Sequence, residues 1–163
     1  MKPSDLLSLL QDVHRAKLAL YRRHERGARG VSSYEFNNTY QYVINREETH
    51  LAWLCDAIED LGGTPDGAGP ELPVPDAGKG ERAGQAILED DVRTARAFVD
   101  AWAPRLATVT HGRHGKMLEL VLGEVREHLR FFELAVAGRQ DLLGRRPAGT
   151  GTGGGVMPAR WVE

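Results

Sequence analysis

Six residues of types that bind metal ions form two triplets with the same spacing. In each triplet the second member follows the first by 33 positions and the third follows by three more, and the triplets lie 77 positions apart. The residues are His14, Glu47 and His50 in the first triplet and Asp91, Glu124 and Glu127 in the second. Residues three apart share one face of a helix, so two such half-sites can converge on a pair of metal ions inside a four-helix bundle.

The surroundings of these residues strengthen the metal hypothesis. All six fall within otherwise apolar helical stripes, for example Val43, Ile44, Leu51 and Leu54 around Glu47. Burying an unpaired carboxylate costs several kcal/mol. Divalent cations neutralise such groups well, and mixed nitrogen and oxygen ligands suit Fe, Mn or Zn.

Four helical segments would have to position these ligands. Their apolar residues recur at three- and four-residue steps, and glycines or prolines separate them. The second has a capping box at Ser32 and Glu35 and stops at Gly62, and Pro104 is expected to kink or end the third. The predicted segments are 4–24, 32–61, a third from about 81, and 116–143, with a turn at 110–115 between the last two.

A loop of 19 residues, 62–80, separates the second and third predicted helices. Loops of this length are unusual in a compact domain, but a crossover along the side of a four-helix bundle requires one. We therefore predict an all-α bundle over residues 1–143. The Gly-rich segment 144–163 is predicted to be a flexible tail, and whether it docks on a partner is left open.

The composition of the chain restricts the classes of function that it can have. The chain has 163 residues and a net charge of −2, which favours neither nucleic acid nor an anionic membrane as a partner. Cys55 is the only cysteine, so an internal disulfide and a four-cysteine metal knuckle are excluded. With no signal-peptide pattern at its N-terminus, the chain is expected to be cytoplasmic.

The chain resembles the ferritin-like superfamily of di-iron carboxylate proteins, nearest to the rubrerythrin-like branch. The resemblance covers about residues 4–143 and is carried by Glu47-Glu48-Thr49-His50-Leu51 and by Leu61-Gly62-Gly63-Thr64-Pro65. It implies an up-down-down-up bundle in which helices one and three each give a carboxylate and helices two and four each give a Glu-x-x-His. Three positions depart from that pattern: His14 replaces a carboxylate, Asp91 a glutamate and Glu127 a histidine.

The resemblance also implies a role for each candidate. Glu47 and Glu124 would bridge two metal ions, with iron favoured over manganese or zinc, and would be the catalytic residues. One ion would be bound terminally by His14 and His50 and the other by Asp91 and Glu127, with His128 a rival for Glu127. Without metal, simpler roles are open: a hydrogen-bonded core histidine at 14, a surface pair of Glu47 with His50, a solvated acidic turn at Asp91, or exposed ion pairs of Glu124 and Glu127.

Three functions follow from the resemblance. The leading one is a di-metal oxidoreductase that reduces O2 or peroxide and takes electrons from an external donor, since no four-cysteine iron domain is present. The second is a non-catalytic scaffold or binding module with a degenerate metal site. The third is a di-iron oxygenase acting on a small organic substrate, and a homodimer is open under all three.

Overall fold

Four α-helices, and no strand, make up the regular structure of residues 2–75, 80–139 and 142–143, which are the residues that the computed structural model describes. They are α1 (Pro3–Ala28), α2 (Tyr34–Asp60), α3 (Glu81–Leu106) and α4 (Gly112–Val136). The all-α prediction is confirmed. Within these ranges none of the helices combines the length and apolar character that crossing a membrane requires.

Several helix ends differ from the sequence prediction. α1 extends through Gly27, where a Cβ atom would lie 3.2 Å from Ile87, so close packing uses this glycine. α3 continues past Pro104 to Leu106. α4 begins at Gly112 instead of 116, because the His111 side chain caps it by accepting from the backbone N–H of His114. The same helix ends at Val136, before Gly138 at a φ of 84°.

The crossover between α2 and α3 runs along α1. Gln11 donates to the carbonyl of Thr64 over 3.2 Å, Arg22 donates to that of Gly67 over 3.1 Å, and Arg26 donates to that of Leu72. The chain therefore returns from the end of α2 to the far end of the bundle before α3 begins. This is the up-down-down-up order with one long crossover, as the sequence predicted. The predicted tail from residue 144 onward lies outside the described residues.

Two apolar clusters occupy opposite ends of the bundle core. One packs Leu10, Leu54 and Leu118, and the other packs Val43 and Phe132. On α1, α2 and α4, buried polar residues fall between the segments that build the two clusters, and on α3 Asp91 lies beside Leu88 and Val92 of the second cluster. The packing of these apolar ends therefore holds a layer of polar side chains in the middle of the bundle, and that layer contains the candidate site.

Candidate functional site

The polar layer is buried and draws on all four helices. On α1 its members recur at the spacing of one helical face, because Lys17 and His24 lie seven and fourteen residues after the buried Leu10. Tyr40 and Glu47 show the same seven-residue step on α2. The buried members are Lys17, Arg23, His24, Tyr40, Glu47, His50, Asp91 and His128.

Glu47 has both carboxylate oxygens engaged by α1. The ammonium of Lys17 donates to Oε1, and Nδ1 of His24 lies 2.8 Å from Oε2. Both Lys17 and Glu47 have 0% exposed side chains. Burial raises the pKa of Glu47, but His24 and Lys17 more than offset that effect and hold the pKa below its usual value. Glu47 is therefore an ionised carboxylate in the core, and a surface pairing with His50 is not what the structure shows.

Asp91 of α3 is held in the same way on the other side of His24. The hydroxyl of Tyr40 donates to Oδ2, while Nη2 of Arg23 lies 2.9 Å from Oδ1. Burial raises the pKa of Asp91, and the cationic partners only reduce that rise. Arg23 also lies 2.6 Å from Asp90 and donates to the carbonyl of Pro73 in the crossover. Asp91 is thus buried and does not belong to a solvated acidic turn.

Glu124 of α4 lies at the rim of the layer. Arg46 donates to it through Nε over 2.7 Å and through Nη2, so the contact is bidentate. Nε2 of His50 lies 2.8 Å from Oε2 of Glu124. Burial raises the pKa of Glu124, but the hydrogen bonds from Arg46 and His50 lower it further than burial raises it. This carboxylate is therefore part of an ion pair between α2 and α4.

Two imidazoles stack between α2 and α4. The ring centroids of His50 and His128 lie 6.3 Å apart with an interplanar angle of 22°. Burial lowers the pKa of His50 to about 4 and that of His128 to about 3, so both rings are neutral at pH 7. Among the described residues, Nδ1 of His50 and both ring nitrogens of His128 have no hydrogen-bond partner.

Two of the sequence-predicted ligands lie away from this layer. His14 is buried, but its Nε2 faces Cys55 at 3.4 Å. Glu127 is exposed, and its nearest polar contact is the hydroxyl of Tyr42 at 3.5 Å. The structure places the other five in the polar layer or at its rim: Glu47, His50, Asp91, Glu124 and His128. Of the two rivals on α4, His128 is the one that points inward.

Sequence reasoning missed the α1 members Lys17, Arg23 and His24. For Lys17 and His24 a signal was present, because both continue the seven-residue series that begins at Leu10. Lysine is usually solvated, so the residue type of Lys17 favours a surface position and obscures this signal. For Arg23, which lies one residue before His24, no comparable sequence signal exists.

Comparison with known proteins shows the fold. No family model matches the chain, and no curated protein matches it. A crystal structure described as ferritin-like, diiron-carboxylate proteins from Bacillus anthracis str. Ames is similar, with a TM-score of 0.66 over 83% of this chain and 99% of that chain. The chain has a ferritin-like fold. The two sequences are 17% identical, so the likeness extends to the fold and not to the metal of that protein.

The ferritin-like fold raises the question of whether the predicted two-metal centre fits these residues. It requires carboxylate oxygens that can turn toward metal ions, but those of Glu47 and Asp91 are bound by Lys17, His24, Arg23 and Tyr40. Within the described ranges no group of three or more His, Cys, Asp or Glu side chains has the geometry to hold a metal ion. The residues present do not fit the predicted centre.

Charge neutrality in the layer is reached by other means. Lys17 and Arg23 supply one positive charge each when protonated, and the carboxylates of Glu47 and Asp91 supply one negative charge each when ionised. Burial lowers the pKa of Lys17, and the contact with Glu47 opposes that effect. These two cations balance the two buried anions, and the rings of His50 and His128 remain neutral. Side chains of α1 therefore meet the electrostatic requirement for which the sequence predicted metal ions.

Proposed function

We propose that this ferritin-like bundle works without a di-metal centre, as a non-catalytic binding or scaffold module whose core is held by ion pairs. The observation that supports the proposal is the contact of the Lys17 ammonium with Glu47, both completely buried. Glu47 is one of the two residues that the resemblance to di-iron proteins predicts to bridge two metals. Here a covalently attached cation takes the place of the metal charge.

The chemical consequence is a loss of redox capacity at this position. An ammonium neutralises a carboxylate, but it offers no open coordination site and cannot change oxidation state. The second oxygen of Glu47 is also bound, by His24. A buried polar layer that is paired in this way can specify how four helices align, which is the use best documented for buried ion pairs.

Metal analysis of the purified protein tests the proposal. The full chain is produced in iron-supplemented medium, its Fe, Mn and Zn contents are measured, and its thermal midpoint is recorded with EDTA and with each metal added. We expect well under one metal ion per chain and the same midpoint in every condition. About two ions per chain, with a midpoint that EDTA lowers, would contradict it.

A second candidate is the peroxide- or O2-reducing di-metal oxidoreductase. It is favoured by the unpartnered ring nitrogens of His50 and His128, since buried imidazole nitrogens are common metal ligands. Loading would require Lys17 and Arg23 to leave the carboxylates that they bind. If metal is found, consumption of peroxide without any organic substrate would support this candidate over an oxygenase. Glu47→Gln should then abolish the metal content.

A further inference from the structure

A pocket lies between α2 and α4, outside the polar layer. Its volume is about 270 Å³, and its walls include Trp53, Ala57, Met117 and Leu120. Leu120 of α4 is 49% exposed, and it forms part of the pocket wall. The walls are apolar enough to take the rings of a small molecule out of water.

His114 contributes to the pocket wall and is only 4% exposed. Among the described residues neither of its ring nitrogens has a hydrogen-bond partner. Such nitrogens are usually satisfied in folded proteins, because a buried polar atom without a partner costs free energy. Burial and the neighbouring His111 lower the pKa of His114, so the ring is neutral and offers one donor and one acceptor.

The charges at the pocket mouth select against a strongly charged ligand. Asp56 and Arg113 both line the pocket, with opposite signs. Arg113 also pairs with Asp60, with Nη1 and Oδ2 3.0 Å apart. An anionic ligand would have to compete with Asp60 and lie near Asp56, and a cationic ligand would meet Arg113. A neutral molecule avoids both costs.

We propose that this pocket binds a neutral aromatic molecule of one or two rings whose hydroxyl group hydrogen-bonds to His114. A hydroxyl both donates and accepts, as the neutral imidazole does. The size follows from the volume, since an apolar cavity of roughly 150 Å³ holds benzene. The proposal is independent of the metal question, because no lining residue belongs to the polar layer.

A matched pair of probes tests the proposal. 2-Naphthol and 2-methylnaphthalene have the same shape but differ in a hydroxyl and a methyl group. Each is titrated into the full chain, and dissociation constants are obtained from amide shifts in NMR spectra. We expect 2-naphthol to bind about fivefold to tenfold more tightly, which is the effect of one hydrogen bond.

Three variants locate the binding. His114→Phe keeps the ring shape and should remove the preference for 2-naphthol while both probes still bind. Leu120→Arg should abolish the binding of both probes. Leu143→Arg is the matched control, because Leu143 is also a large exposed apolar residue, at 45%, and lies elsewhere; it should leave both affinities unchanged.

Four outcomes would overturn the proposal. They are equal affinity for the two probes in the unmodified protein, no binding of either probe, a preference that survives His114→Phe, and binding that survives Leu120→Arg. Circular dichroism of each variant confirms that the bundle is folded. If His114→Phe does not fold, the probe comparison in the unmodified protein and the Leu120→Arg variant still test the proposal.

Discussion

The ammonium of Lys17 on α1 and the carboxylate of Glu47 on α2 form an ion pair from which water is excluded on both sides. Each charge is therefore stabilised by the other and not by water. Removing one partner leaves its mate unpaired in a medium of low dielectric constant, whereas removing both charges leaves only a packing change. We therefore expect the effect of replacing one residue on stability to depend strongly on whether the other residue has also been replaced.

Replacing Lys17 with Met should lower the free energy of unfolding by about 3–5 kcal/mol, because Glu47 would remain charged and buried. The double variant Lys17→Met/Glu47→Gln should recover at least half of that loss, since the amide of Gln can still hydrogen-bond to His24. Urea unfolding followed by circular dichroism measures both. Lys116→Met, at an exposed position, is the control and should change stability by less than about 0.5 kcal/mol. A loss below about 1 kcal/mol in the single variant would mean that the pair is not needed for stability.

Lys17→Glu should convert the layer into one that needs metal. It would place a third carboxylate beside Glu47 and Asp91 and leave Arg23 as the remaining fixed cation. We expect this variant to be unstable alone and to gain thermal stability on addition of Zn(II) or Mn(II), reversibly with EDTA. The unmodified protein should show no such gain. Equal melting curves with and without metal would refute the idea that Lys17 replaces a metal charge.

Acid should destabilise the bundle through His50 and His128. Their pKa values are lowered from 6.5 to about 4 and about 3, so the unfolded chain binds protons that the folded chain does not. The stability from these neutral rings is complete above pH 6.5 and is lost as the pH falls toward 3. Each ring contributes a slope of up to about 1.4 kcal/mol per pH unit. Urea unfolding at pH 7.5, 6 and 5 measures the slope, and His128→Phe should reduce it. The same slope in the variant would contradict the assignment of His128.

Tyr40→Phe should lower the free energy of unfolding by about 1–3 kcal/mol, because Asp91 would lose the hydroxyl that donates to Oδ2. Tyr42→Phe is the matched control on the same helix. Its hydroxyl makes only a 3.5 Å contact with the exposed Glu127, so its removal should have little effect. Equal stabilities of the two variants would indicate that the Asp91 contact is not stabilising.

Gly69→Ala should displace the crossover, because a Cβ atom there would lie 2.8 Å from the backbone oxygen of Arg15. We expect a loss of about 1–3 kcal/mol from this overpacking. Gly67→Ala is the control two residues earlier, where an added Cβ would have no neighbour within 4 Å among the described residues. Thermal unfolding of both variants measures the difference. If both behave alike, the close approach of the crossover to α1 is not tight in solution.

The fold could be predicted because its signals are local and repeated. Apolar stripes at the helical period, the glycines after Leu61 and a long loop without periodicity were sufficient for four helices and a crossover. The burial of Glu47, His50 and Asp91 also followed from their places within such stripes. In each case one segment of sequence carried the information.

The chemistry of the site depends on how the helices are rotated and placed relative to one another, and the sequence pattern does not specify this. Glu127 and His128 differ by one residue, or about 100° around the helix, so only the rotation of α4 decides which points inward. Whether a metal or a cation neutralises Glu47 depends on the approach of α1, where Lys17 can bury its stem and direct its ammonium either way. The sequence predicted the burial of Glu47 and Asp91 but not which positive groups would balance their charges.

Arg23 joins the surface of the bundle to its interior. One guanidinium contacts the Pro73 carbonyl in the crossover and the Asp91 carboxylate in the core. If the crossover detached from α1, Asp91 would lose part of its countercharge. Detachment of the crossover and exposure of the core are therefore one cooperative event. Hydrogen exchange in the crossover near Pro73 should accordingly slow to the rate of global opening, instead of showing the fast exchange typical of a surface loop.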